Sequence, residues 1–179
     1  MKMQLIERKK HYRNTSALYA GLINFLLTLP AELRKTAAVE IGSYIGESAN
    51  IFSLFFSDVV CIDPLDDPLV RLRFEENTSG RNITVIRKPS DQAHIELFEN
   101  LYGLVYIDGV HTYEAVRCDI ENYYSKVMDG GYIGGHDYGV GPENVGVVQA
   151  VNEAFGEPDF IFEDESWLVL KTKGRMLTI

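Results

Sequence analysis

Val39-Glu40-Ile41-Gly42-Ser43-Tyr44-Ile45-Gly46-Glu47-Ser48 decides how this chain is read. A short apolar run ends at a glycine, and a helical pattern begins a few residues later. Gly42 permits a sharp backbone turn and the close approach of a ligand. The start of the helix leaves N–H groups without intrahelical partners. A dinucleotide-binding loop wants G-x-G-x-x-G. Here Tyr44 stands at the second glycine position and Gly46 comes four residues after Gly42, so a pyrophosphate would be crowded. The turn suits a ligand without phosphates, and it would also serve as a plain tight connection. Asp63 ends the next apolar run, 21 residues after Gly42. An acid at that distance can grip ribose hydroxyls. Beside Pro64 it could equally cap a helix or close a turn.

Outward from this stretch, strand patterns at residues 37–42, 59–64, 83–86, 104–108 and 132–137 alternate with helical patterns at 47–56, 68–77, 91–101, 113–128 and 145–155. Such alternation implies βαβ units and a parallel sheet covered on both faces. The central strands are continuous apolar runs, as two-sided burial requires. A last pair, 160–162 and 167–171, is joined by the acidic turn 163–166 and should be antiparallel. Thr112 is a cap for the helix at 113–128, and Gly130-Gly131 is expected to stop it. Ligands of open α/β sheets bind beyond the carboxyl ends of the strands. Gly42, Asp63, Ser90, Asp108 and Asp137 all fall there.

Upstream, residues 17–29 form the longest apolar stretch, too short to span a bilayer. Asn24 interrupts it, no small-x-small cleavage pattern follows, and Asn14, Thr15 and Ser16 are cap candidates. An amphipathic helix fits better than a signal peptide. The expected organisation is a basic arm and helix over residues 1–30, followed by one α/β domain over 31–179.

The chain's 179 residues suit one domain, and 46% hydrophobic with 24% charged residues excludes long disorder. The net charge is -9, split as +4 over residues 1–15 and -13 over the rest. That split disfavours a nucleic-acid partner held on a broad basic surface. Cys61 and Cys118 lie 57 residues apart without metal-like spacing. They read as buried free thiols, in keeping with a cytoplasmic protein and no membrane partner.

Two further segments carry chemistry. Val105-Tyr106-Ile107-Asp108-Gly109-Val110-His111-Thr112-Tyr113 puts an acid at a strand end and an imidazole three residues on. Gly130-Gly131-Tyr132-Ile133-Gly134-Gly135-His136-Asp137-Tyr138 puts His136 and Asp137 at the end of the following strand. On neighbouring strands, Asp108, His111, His136 and Asp137 would converge at one rim. Such a group can hold a divalent cation or move a proton. Singly, each could instead satisfy local backbone groups or cap a helix.

Taken in order, Glu40-x-Gly42-x-x-x-Gly46, the acid Asp63, Ile107-Asp108-Gly109-x-His111-x-Tyr113 and the Gly130–Tyr138 segment resemble the class I S-adenosylmethionine-dependent methyltransferases. They are most similar to the branch related to macrolide-sugar O-methyltransferases and cephalosporin-hydroxylase-like proteins. The resemblance covers residues 37–172. It implies a Rossmann-like three-layer sandwich with a seven-stranded, mostly parallel sheet in the order 3-2-1-4-5-7-6, the last strand antiparallel. It places Glu40, Gly42, Ser43, Tyr44, Gly46 and Ser48 around the methionine part of the cofactor. Asp63 would hold the ribose and Ser90 and Asp91 would lie near the adenine, with Asp108 at the end of strand four. His111 is the expected base, with Asp108 and His136 beside it in the catalytic set. Metal-dependent relatives bind magnesium at the strand-four and strand-five acids, here Asp108 and Asp137, with His136 as the third ligand. His136 and Tyr138 replace the second carboxylate or amide of those relatives, which departs from a magnesium site. Asp119 is assigned to local pairing or capping.

The function implied is transfer of a methyl group to a hydroxyl of a small molecule, such as a sugar or glycosylated product. The alternative is a methyltransferase-fold protein, weak or inactive in catalysis, that serves as a partner subunit. Tyr44 and the missing second glycine argue against a nicotinamide enzyme. Tyr138-Gly139-Val140-Gly141-Pro142 lacks the Asn/Asp-Pro-Pro-aromatic signature of amino-group methylating relatives. With the cofactor core taking nearly everything after Pro30, acceptor selectivity is expected from the N-terminal helix, residues 65–80 and the loop 138–144, or from a second subunit. The helix at 17–29 could pair across a homodimer.

Overall fold

Seven strands form a single sheet in the order β3-β2-β1-β4-β5-β7-β6 in the computed structural model, which describes residues 18–139 and 141–179. The strands are β1 Ala37–Ile41, β2 Asp58–Ile62, β3 Ile83–Ile86, β4 Tyr102–Ile107, β5 Val127–Gly135, β6 Phe160–Ile161 and β7 Trp167–Leu170. Strands β1 to β5 pair in parallel, and β7 is antiparallel to both β5 and β6. The parallel pairing is what the alternating pattern predicts, and the strand order is the one the family resemblance implies. The basic segment 1–15 lies outside the described residues.

The sheet alternates between two cores, as a period of two requires. Val39 and Ile41 face one side, with Val105, Ile107, Ile133, Trp167 and Val169. Helices α5 (Tyr113–Tyr123) and α6 (Val145–Phe155) cover that side with Val116, Ile120, Val147 and Val151. Ala38, Leu104 and Tyr106 face the other side. There α1 (Leu18–Thr28) and α2 (Glu47–Phe52) supply Leu22, Phe25, Leu26 and Phe52, and α3 (Pro68–Thr78) supplies Phe74. The apolar face of α1 is therefore spent inside its own chain, with Phe25 and Leu26 both 0% exposed. At about 25 cal/mol per Å2, burying one such side chain contributes ~2 kcal/mol.

Several boundaries differ from the sequence reading. The helix expected at 113–128 ends at Tyr123 and tightens to a 3-10 turn, Tyr124–Lys126. The next strand starts at Val127, so Gly130 and Gly131 lie within β5. Tyr102 pairs with Val127, and the register shifts before Leu104 meets Tyr132. The extra residues are absorbed by that irregularity, which a glycine pair permits. The helix expected at 91–101 shrinks to α4 (Ser90–Ala93) and the 3-10 turn His94–Glu96. The one expected at 47–56 is regular only to Phe52. Of the two thiols, Cys61 is buried while Cys118 is only partly so, and both are free.

Candidate active site

The β1–α2 turn is held by backbone geometry that side chains resist. Gly42 has φ +83°, and a Cβ there would stand 2.1 Å from the Asp108 carbonyl oxygen. Tyr44 and Leu65 are both left-handed, at φ 43° and 50°. Their amides donate to one carboxylate: Tyr44 N to Asp63 Oδ2 at 2.9 Å, and Leu65 N to Asp63 Oδ1 at 2.8 Å. Asp63 thus ties the first turn to the loop after β2, offsetting the strain of two uncommon conformations. Each oxygen keeps a second lone pair for a ligand.

Glu40 lies behind this turn and is 0% exposed. Its Oε2 accepts from the Cys61 thiol at 3.7 Å. Burial dominates and pushes the carboxyl up from 4.5 to about 7, against the opposing pull of the nearby Ser48 and Ser43 hydroxyls, which favour the ionised form. Neither Glu40 Oε1 nor Ser43 Oγ completes a hydrogen bond of normal geometry. The folded state therefore keeps its proton between pH 4.5 and 7, while the unfolded chain has released it. Stability should fall as pH rises through that window and stay lower above it, by about 3 kcal/mol from this group alone. Glu40→Gln is expected to raise stability at pH 8 by ~2 kcal/mol and to flatten the slope between pH 5 and 7. Urea unfolding across that range reads it; an unchanged slope would refute the assignment.

Two cavities open at the carboxyl ends of the strands and share Gly42, Tyr44 and Asp108. The first, of about 390 Å3, is lined on one side by Ser43, Glu47 and Ser48 and on the other by His111, His136 and Asp137. The second, of about 370 Å3, runs past Asp63 and Pro64 to Lys88, Pro89 and Ser90, with Gly109, Val110 and Asp119 opposite. Tyr44 is 62% exposed between them. Of the residues assigned to the cofactor, Gly42, Tyr44 and Asp108 line both cavities, Ser43 and Ser48 the first, and Asp63 and Ser90 the second. Glu40, Gly46 and Asp91 line neither. Gly46 instead packs on α3, where a Cβ would meet Thr78 at 2.7 Å.

Adjacent strands β4 and β5 bring the four rim residues together. His111 Nε2 lies 3.0 Å from Asp137 Oδ2 and 3.9 Å from Asp108 Oδ1. His136 Nδ1 is 3.2 Å from Asp137 Oδ1. That bond lifts His136 from 6.5 to about 9, and holds Asp137 below the usual carboxylate range. Burial pushes Asp108 from 3.8 up to about 6. Asp137 sits at φ 62°, a left-handed turn that aims its carboxylate between the two imidazoles. The ligand atoms of Asp108, His111 and Asp137 all lie within 4.8 Å of one another, so the trio suited to a cation contains His111 in place of the expected His136.

Three lining residues had no signal in the sequence. Tyr19 donates to Glu47 Oε2 at 2.5 Å, closing α1 over α2. Tyr106 shares a 3.0 Å hydrogen bond with Ser166 inside the core. Asp164, between β6 and β7, keeps a buried Oδ2 without a partner beside the first cavity. Its place depends on α1, since it fills the space that a side chain at Gly21 would take.

A seven-stranded sheet in this order, with a glycine turn after β1 and acids ending β2 and β4, is the class I methyltransferase fold. A family model described as a methyltransferase domain matches residues 39–138, and the chain belongs to that family. Uncharacterized protein R132 of Acanthamoeba polyphaga mimivirus is 32% identical over 111 residues, which are 56% of this chain and 50% of that protein. The chain thus matches about half the length of that curated relative. A solved protein of Corynebacterium glutamicum superposes with a TM-score of 0.62 at 12% identity, covering 94% of this chain and 89% of that one. Phosphoethanolamine N-methyltransferase 1 of Haemonchus contortus, solved with phosphoethanolamine and S-adenosylhomocysteine, gives 0.58 at 17% identity over 71% of this chain and 26% of that chain. Among the described residues no helix is long and apolar enough to cross a membrane.

Proposed function

We propose that this chain transfers a methyl group from S-adenosylmethionine to a hydroxyl of a small molecule. The supporting observation is the pair of cavities meeting at Gly42, Tyr44 and Asp108. The residues present fit the cofactor: Gly42 lines both cavities, the Ser43 hydroxyl is buried without a partner beside the first, and Asp63 offers acceptor oxygens in the second. When bound, the cofactor supplies an electrophilic methyl on a sulfonium. The chain's part is alignment and proton removal. His136 is protonated at neutral pH and is a poor base there. His111 Nε2 lies 3.0 Å from Asp137 Oδ2, and a neutral imidazole carrying its proton there has Nδ1 to accept the proton of the acceptor hydroxyl. Asp137, held ionised by His136, orients His111 and balances the charge it gains.

Asp108, His111 and Asp137 also fit a divalent cation by donor type. Two carboxylates with an imidazole suit a transition ion better than magnesium, which prefers oxygen ligands. Such an ion would lower the pKa of a bound hydroxyl. Calorimetric titration with S-adenosylmethionine and S-adenosylhomocysteine, with and without chelator, tests both statements. Micromolar binding is expected, and failure of both to bind would overturn the enzyme reading. Turnover unaffected by chelator would remove the metal.

A further inference from the structure

We infer that the methyl acceptor is a cationic alcohol, its protonated amine held at Asp164 while its hydroxyl faces His111. The inference rests on the methyltransferase reading above and names the substrate class of the first cavity. Glu47, Asp108, Asp137 and Asp164 line that cavity, and among the described residues no lysine or arginine lines it. Glu47 accepts from the Tyr19 hydroxyl, and Asp137 lies against both imidazoles. Asp108 belongs to the rim trio with His111 and Asp137. Asp164 comes from another part of the chain, the loop between β6 and β7. Its Oδ1 accepts from the Ser166 amide at 3.2 Å, and its Oδ2 is buried with no hydrogen-bond partner among the described residues. A carboxylate placed in this way lacks a donor. Helix α1 has room for it only because residue 21 is glycine, where a Cβ would stand 1.9 Å from the Asp164 carboxyl carbon.

Charge decides what the missing donor is. His136 is a cation at neutral pH, but its Nδ1 is spent on Asp137. An acceptor bearing a phosphate or carboxylate would meet like charge in this cavity. A protonated amine brings the opposite charge and up to three N–H donors. Leu22 and Tyr106 line the same cavity and offer apolar surface to a carbon skeleton. A divalent ion at Asp108, His111 and Asp137 would draw on those three residues and leave Asp164 as it is. Protonation also directs the chemistry. An amine held as ammonium has no lone pair for the sulfonium methyl. The new bond therefore forms from the hydroxyl oxygen to the methyl carbon, the sulfur–carbon bond breaks, and the hydroxyl proton passes to His111.

The test is titration calorimetry of the full chain, loaded with S-adenosylhomocysteine. The probes are three sugars that differ only at carbon six: 6-amino-6-deoxyglucose, glucose and glucose 6-phosphate. Chelator is present, so that an amine cannot score through a metal. The amine is expected to bind at least about tenfold tighter than glucose, and the phosphate weakest of the three. Asp164→Asn should shrink the amine preference to about twofold and leave S-adenosylhomocysteine affinity in place. Gly21→Ala, which displaces the carboxylate without removing it, should do the same. Thermal melting checks the fold of both variants. A smaller wild-type preference, the absence of binding by all three sugars included, overturns the inference whether or not either variant folds. So does a full preference kept by a folded Asp164→Asn protein. A loss of S-adenosylhomocysteine affinity as large as the loss of amine affinity would assign Asp164 to the cofactor and overturn it too. Failure of S-adenosylhomocysteine to bind the wild type overturns the methyltransferase reading as well, whereas its binding without an amine preference overturns this inference alone.

Discussion

Gly42→Ala is expected to abolish S-adenosylhomocysteine binding and to lower stability by at least about 3 kcal/mol. Two penalties coincide there. The φ of +83° disfavours any side chain, at ~1–2 kcal/mol. The added methyl would also stand 2.1 Å from the Asp108 carbonyl oxygen and 2.6 Å from its carbon. Neither atom can retreat cheaply. Asp108 N donates to the Ile41 carbonyl at 2.9 Å, and the Ile107 carbonyl accepts from His136 N at 3.1 Å. Moving the end of β4 would break the pairing that sets the rim. Gly80 supplies the control: its φ is +71° but nothing lies within 4 Å of a Cβ. Gly80→Ala should therefore lose only the conformational part, ~1 kcal/mol. Urea unfolding of both variants decides the matter, and equal losses would show that the contact with Asp108 is unimportant.

His111→Ala is expected to lower methyl transfer by about 10²- to 10⁴-fold, the range for loss of a general base. S-adenosylhomocysteine affinity should fall far less than turnover, because the role assigned to His111 is on the proton of the acceptor hydroxyl and not on the cofactor. His136→Gln should act differently. Its cation holds Asp137 ionised, so its loss should move the pH profile of transfer more than its plateau. The measurement is release of S-adenosylhomocysteine with a hydroxylated acceptor that supports wild-type turnover. A His111→Ala enzyme with full turnover would transfer the base role elsewhere.

Much of this fold was legible because its signals are local. The Gly42 turn, the apolar runs and the final helix-free strand pair define a mostly parallel sheet with an antiparallel end, while its strand order was legible only through the family resemblance. The helix Val145–Phe155 and the strand Ile83–Ile86 match the sequence pattern at both ends. Boundaries went astray where tertiary pairing overrides pattern. Val127 and Met128 continue the helical periodicity of α5 but are claimed by the ladder with β4. The rim residues were legible because each follows a strand by one to four positions. Tyr19 and Asp164 were not, because their place depends on how α1 and the β6–β7 loop lie over the sheet. Glu40 was readable as part of the motif, but that it lies behind the turn follows from the face of β1 it shares with Ala38.

The Asp63 carboxylate serves two loops at once, through the amides of Tyr44 and Leu65. A ribose engaging the same oxygens draws on the acceptor that keeps both loops in register. Loop order and ligand occupancy are then linked, and linkage is reciprocal. Anything that loosens the segment after β2 weakens ligand binding at a turn twenty residues earlier. Conversely, occupancy should slow hydrogen exchange at the Tyr44 and Leu65 amides together. Those two N–H groups form a built-in gauge: read as a pair, they report whether the cleft is filled without any assay of the chemistry.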